Sequence, residues 1–131
     1  MGPLDQYVLD ENALKSKLNA FELSFQSHWY RSLPLSCMDF SLKLNGEILE
    51  PLKFKIKLNQ KEFFYSEMII QQNEWLFILD KAKIEYPLAL EKGKTYEIEF
   101  KLDLHIPYIL VGPQSSPLLA SSIIKKNLIC K

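Results

Sequence analysis

Soft metal ligands are scarce in this chain: two cysteines and two histidines in 131 residues. Cys37 and Cys130 form no C-x-x-C pair, which excludes a zinc knuckle of ordinary spacing and a disulfide framework. They read as reduced structural thiols of a cytoplasmic protein. Neither His28 nor His105 has a His, Cys, Asp or Glu at ligand spacing, so no metal site is expected here. Excess charge is also missing. Sixteen basic residues balance sixteen acidic ones, leaving no broad field to steer nucleic acid or anionic lipid. No run approaches the roughly 18 apolar residues of a membrane-spanning helix. Met1-Gly2-Pro3-Leu4-Asp5 contains no basic region followed by an apolar one, and Gln6 stands where a myristoylation signal needs Ser or Thr. Neither secretion nor membrane insertion is expected.

Familiar catalytic signatures are absent too. Ser36 lacks the flanking glycines of a nucleophile elbow. Glu97 and Glu99 share one face of a strand, as the paired carboxylates of a glycosidase can, but Lys101 follows in phase and the three read as a solvated face. His105 belongs to the same face and reads as a solvated or interface imidazole. No catalytic residue is assigned.

What the chain has in abundance is alternation. Tyr96, Ile98, Phe100, Leu102, Leu104 and Ile106 interleave without a break with Thr95, Glu97, Glu99, Lys101, Asp103 and His105. A period of two places one apolar and one polar face on a long strand, and a second layer must cover the apolar one. At about 1.5–3 kcal/mol per large side chain, that face is worth on the order of 10 kcal/mol. The same alternation recurs in Phe21, Leu23, Phe25, in Phe40, Leu42, Leu44, in Phe54, Ile56, Leu58, in Trp75, Phe77, Leu79, and in Ile84, Tyr86. Asn45-Gly46 is a strong two-residue hairpin signal because both turn positions need positive φ, and Asn59-Gln60 marks a second hairpin. Tyr7-Val8-Leu9 forms a short β-like start, residues 66–73 are ambiguous between a helical turn and a strand, and residues 91–94 form the turn that feeds the long strand. Pro107, with no N–H to donate, is expected to end that strand. Residues 112–122, with two prolines and four serines, read as a loop, and residues 126–130 as a last edge strand. Eight to ten short strands with turns every 8–12 residues make an all-β fold, an antiparallel two-sheet β-sandwich of jelly-roll type with little helix, as one domain over residues 1–131.

One loop is unusual. His28-Trp29-Tyr30-Arg31-Ser32-Leu33-Pro34-Leu35-Ser36 packs aromatics, an arginine and a proline where a simple connection carries Gly, Asn and Ser. Trp, Tyr and Arg dominate binding hot spots, so this segment reads as an interface. Equally, Tyr30 and Leu35 can plug the end of the sandwich while Arg31 caps carbonyls.

Tyr30-Arg31-Ser32-Leu33-Pro34-Leu35-Ser36-Cys37-Met38, followed by Leu42-Lys43-Leu44-Asn45-Gly46-Glu47, resembles the opening "YRG-x-P-L-S-x-I…V-DG" of the small β subunit of bacterial C-glycoside deglycosidases. Residues 54–58, Glu67-Met68, Trp75, residues 82–87, residues 90–93 and Ile106-Pro107-Tyr108 follow in that family's order. Ser32 replaces its glycine, Asn45 its aspartate and His105 a frequent arginine. The resemblance implies a non-catalytic subunit that supports a TIM-barrel α subunit similar to xylose isomerase. In that family the α subunit binds a divalent metal such as manganese and cleaves the C–C bond of a 3-oxo-C-glycoside. It also implies a partner interface at Trp29, Tyr30, Arg31, Pro34, Leu35, Ser36 and Tyr108, with a glycoside nearby. Two rivals remain: a carbohydrate-binding module that stacks sugars on Trp29, Tyr30 and Trp75, and a small enzyme acting alone on keto-sugars.

Overall fold

The structure, a computed structural model, describes residues 8–27, 32–72, 74–76, 81–114 and 116–131, without the side chains of Pro107, Tyr108 and Pro117. Tyr7, Phe77 and Leu79 lie outside that set. The fold is all-β. Strands β1 (Leu14–Lys17) and β2 (Ala20–Gln26) join β9 (Lys81–Tyr86), β6 (Lys55–Leu58) and β7 (Lys61–Phe64) in a five-stranded sheet ordered β1-β2-β9-β6-β7. A second sheet, ordered β11-β10-β4-β5, combines β4 (Met38–Leu44), β5 (Glu47–Ile48), β10 (Thr95–Val111) and β11 (Ser116–Ile129). A two-stranded ribbon pairs β3 (Leu33–Pro34) with β8 (Trp75–Leu76). Every pairing among the described residues is antiparallel. Among the described residues helix is confined to 3₁₀ turns at Leu35–Cys37, Pro51–Lys53 and Tyr65–Ile70.

Alternation decides which face each strand buries. Phe21, Leu23 and Phe25 of β2 and Ile84 of β9 point inward from one sheet, and Phe40 and Leu42 of β4 and Ile98, Phe100, Leu102 and Leu104 of β10 point inward from the other. All belong to one apolar cluster. Ring contacts bridge the layers: Phe25 meets Phe100 with centroids 5.1 Å apart, and Phe40 meets Phe54 edge-on at 5.2 Å. The layers also meet along one side, where Ser16 donates its N–H to the Lys131 carbonyl at 2.8 Å and Lys131 donates to Leu14 at 3.1 Å.

Both expected hairpins form. Asn45 and Gly46 take φ of 50° and 86°, and Asn59 and Gln60 take 54° and 64°, the paired positive values that match the strand twist. Residues 66–73 resolve in part into the 3₁₀ turn Tyr65–Ile70, held at its start by the Glu67 carboxylate accepting the Phe64 N–H at 2.9 Å. Val8 and Leu9 are buried in a bend rather than a strand. The long strand, however, does not stop at Pro107. It runs on to Val111, and the register with β11 jumps between Ile106 and Leu110. Residues 107–109 therefore sit in an irregularity, the place where a missing N–H costs no ladder bond. Residues 112–122 are likewise not a loop. A short turn at 112–114 reverses the chain, and residues 116–122 open the 14-residue β11, whose far end includes most of the predicted edge strand.

The outer face of the five-stranded sheet carries a buried carboxylate. Glu22 is ion-paired with Lys17 at 3.0 Å, Lys57 at 3.4 Å and Lys83 at 3.8 Å. Burial pushes its carboxyl up, but the three ammonium groups outweigh that and hold it below the ordinary carboxylate value.

Candidate partner-facing cleft

Where β4 emerges from the 3₁₀ turn Leu35–Cys37, the second 3₁₀ turn, Tyr65–Ile70, packs beside it. Backbone bonds fix the corner: Leu35 donates to the Glu74 carbonyl at 2.8 Å and Ser36 to the Gln71 carbonyl at 3.2 Å. Between these turns and the outer face of β4 and β10 lies a cavity of about 270 Å³, lined by Ser36, Met38, Asp39, Tyr65, Ser66, Met68, Ile69 and His105.

Its chemistry follows from its residues. Phe40 anchors Tyr65 from below, ring edge to ring face at 5.4 Å and 90°. The Tyr65 hydroxyl then donates to the Asp39 carboxylate, which also accepts the Phe40 N–H at 2.8 Å. Burial and the Asp39 charge push the Tyr65 hydroxyl up to about 12, so at neutral pH it is a fixed proton donor and not a base. Asp39 lies directly across from Asp103 in the β4–β10 register, and like charges so placed repel. Asp103 is relieved by Lys101 at 3.7 Å and by the Ser121 hydroxyl at 2.6 Å. Among the described residues no cation lies within salt-bridge distance of Asp39. Met38 and Met68 are buried beneath the cleft, and its rim is apolar: Ile69 and Ile70 are 73% and 70% exposed.

Ser36 and Asp39, neighbours in the sequence, thus meet the distant His105 in one cleft. No hydrogen bond links His105 to Ser36 or to Asp39 among the described residues. The described residues contain no group of three or more His, Cys, Asp or Glu arranged to hold a metal ion. Glu97 and Glu99 are elsewhere on the sheet, with Glu99 paired to Lys43 at 3.3 Å and Lys125 at 3.6 Å, a solvated lattice. The cleft sets fixed polar groups over a soft apolar floor, with exposed isoleucines at its edge.

The predicted interface residues divide three ways. Trp29, Tyr30 and Arg31, with His28, lie outside the described residues, as does the side chain of Tyr108, whose backbone is part of β10. Pro34, opposite Trp75 in the ribbon, and Leu35 are buried and belong to the packing under the corner. Ser36 is half-buried and lines the cleft. Sequence reasoning missed Asp39, Tyr65, Ile69 and Ile70. The one available signal was the adjacent Ile69-Ile70 pair, which no single strand face can bury.

No family model matches the chain. Among curated proteins it is similar to a 3'-dehydrocarminate deglycosidase beta subunit from Microbacterium sp, 31% identical over 110 residues, covering 82% of this chain and 77% of the relative. A C-glycoside deglycosidase beta subunit from Arthrobacter globiformis is 31% identical over 105 residues, covering 79% and 80%. One from Microbacterium trichothecenolyticum is 27% identical over 106 residues, covering 80% and 81%.

Proposed function

The chain belongs to the C-glycoside deglycosidase beta-subunit family, and from that membership we propose that it is the non-catalytic small subunit of a hetero-oligomeric carbon–carbon lyase. Its partner is a TIM-barrel α subunit resembling xylose isomerase, and the pair works in the cytoplasm on 3-oxo-C-glycosides. A relative named for a 3'-dehydro glycoside supports a keto-sugar substrate class. A ketone at the sugar's 3-position acidifies the neighbouring C–H, and a divalent metal such as manganese, which the partner would hold, would supply Lewis-acid chemistry for that deprotonation. This chain's own residues supply contact rather than chemistry. Ser36, Asp39, Tyr65 and His105 offer fixed polar groups, and Ile69 and Ile70 offer apolar area, to the loops around the partner's site. Trp29, Tyr30, Arg31 and Tyr108 extend the same interface in this proposal. Closing such loops excludes water from a reactive enolate.

The observation that carries the reading is similarity along four-fifths of the chain to proteins named as beta subunits, at identities up to 31%. Reconstitution tests it. Separately purified subunits are mixed at increasing ratios, and turnover of a 3-oxo-C-glycoside is followed. The proposal expects no turnover by this chain alone, and activity of the α subunit that rises to a plateau as this chain is added. Turnover by this chain alone, or an α subunit indifferent to it, overturns the proposal. Saturable binding of free sugars to the isolated chain would favour a stand-alone carbohydrate-binding module instead.

A further inference from the structure

Strand β11 is the edge of the four-stranded sheet, and among the described residues only β10 pairs with it. Its C-terminal portion is sheltered: Lys126 reaches the Leu9 carbonyl at 2.6 Å, and Lys131 is bonded to β1. Among the described residues the stretch 116–125 has no such cover. Long open edges are templates for pairing, and proteins usually blunt them with charge, proline, bulges or brevity. Here Pro117 and Lys125 stand only at the two ends of the stretch, and between them Leu119 and Ile123 face outward, 52% and 55% exposed, while Leu118, Ala120 and Ile124 are only partly buried on the inner side.

The pattern is self-complementary about one residue. In an antiparallel pair related by a two-fold axis at Ser121, Leu119 stands opposite the second copy's Ile123 on the outer face, and Leu118 opposite its Ile124 on the inner face. Lys125 and Lys126 then face the second copy's Pro117 and Ser116, so no lysine opposes a lysine. Other axes within the stretch lose this match. An axis at Ser122 sets Leu119 against Lys125, one at Ile123 sets Leu119 against Asn127, and one at Lys125 sets lysine against lysine. We propose that β11 is a dimerisation edge, pairing with β11 of a second copy about Ser121 so that two four-stranded sheets become one of eight strands. Two copies of this subunit would then form the centre of the assembly. Cross-strand apolar pairs on both faces hold the register, and the chain's zero formal net charge opposes association only weakly.

Register-specific cross-linking of the full-length chain tests this. In a Cys37→Ser background, Ser121→Cys places two thiols directly opposite each other, within the Cα spacing a disulfide accepts. Ile123→Cys places each thiol opposite Leu119. Oxidation is expected to convert the first variant to a covalent dimer of twice the 15.3 kDa chain mass and to leave the second uncoupled. By sedimentation the unmodified chain is expected to be dimeric, and Ile123→Lys monomeric with unchanged circular dichroism. A chain that sediments as a monomer at every concentration overturns the proposal. So does cross-linking of Ile123→Cys as efficient as that of Ser121→Cys.

Discussion

Removing the Phe100 ring should nearly halve the stability of an average domain of this size, whereas truncating its neighbour Lys101 should hardly register. Phe100 is fully buried at the middle of β10, between Leu42 of β4 and Ile124 of β11 in register, and its ring meets Phe25 of the opposite sheet at 5.1 Å and Phe40 at 6.1 Å. Phe→Ala in a packed core costs about 3–5 kcal/mol, and the loss of two aromatic contacts places Phe100→Ala near the top of that range. Set against a total of roughly 5–15 kcal/mol, the variant keeps between almost nothing and two thirds of the native stability. Lys101 points to solvent on the same strand, so Lys101→Ala should shift stability by no more than about 0.5 kcal/mol. Urea unfolding followed by tryptophan fluorescence and far-ultraviolet circular dichroism measures both. Equal costs at the two positions, or a Phe100→Ala cost below about 1.5 kcal/mol, would refute the assignment of inward and outward faces from which the whole architecture is built.

Acid should weaken the fold partly through Glu22. Its folded-state pKa lies below 4.5, so its contribution is complete above that value and drains away as pH falls through the lower folded-state value. Glu22→Gln should therefore flatten the acid limb of a stability-versus-pH curve, and an unchanged limb would show that the three lysines do not depress this carboxyl. Ser122 has the opposite character: its hydroxyl is buried on the inner face of β11 with no hydrogen-bond partner among the described residues. Ser122→Ala should raise the unfolding free energy by about 1 kcal/mol, the order of an unsatisfied buried hydroxyl, and destabilisation on thermal unfolding would reveal a hidden partner.

Much of this architecture is legible in the residues because short-range chemistry dictates it. Asn45-Gly46 announces its turn by backbone preference alone, and the break-free alternation of β10 needs no tertiary context to be read. Strand β11 escapes the same reasoning. Leu118-Leu119 and Ile123-Ile124 place apolar groups on both faces and Ser121-Ser122 polar ones on both, so a period of two is lost, and Pro117 and the serines mimic a loop. An edge strand that exposes apolar side chains outward cannot show the in-and-out pattern by which strands are recognised. Pro107 misleads for a related reason: the usual rule ends a strand at a proline, whereas an irregularity in the ladder accommodates one. Strand β1 is too short, and its Ser16 too polar, to stand out. The cleft is less legible still. Ser36 stands out by its neighbours' composition, but Asp39, Tyr65 and His105 converge only through the pairing of β4 with β10 and the packing of two 3₁₀ turns.

Partner binding through this corner is the claim on which the functional account depends, and the mass of the complex tests it most directly. The chain is co-expressed with the α subunit of its own deglycosidase, purified through a tag on that subunit, and weighed by light scattering during gel filtration. The account predicts that this chain co-elutes with the α subunit, that Ile69→Asp with Ile70→Asp abolishes or sharply reduces co-elution, and that Ile48→Asp, at an equally exposed isoleucine on β5, leaves it intact. Separate elution of the unmodified subunits, or equal retention of the Ile69/Ile70 and Ile48 variants, would contradict it.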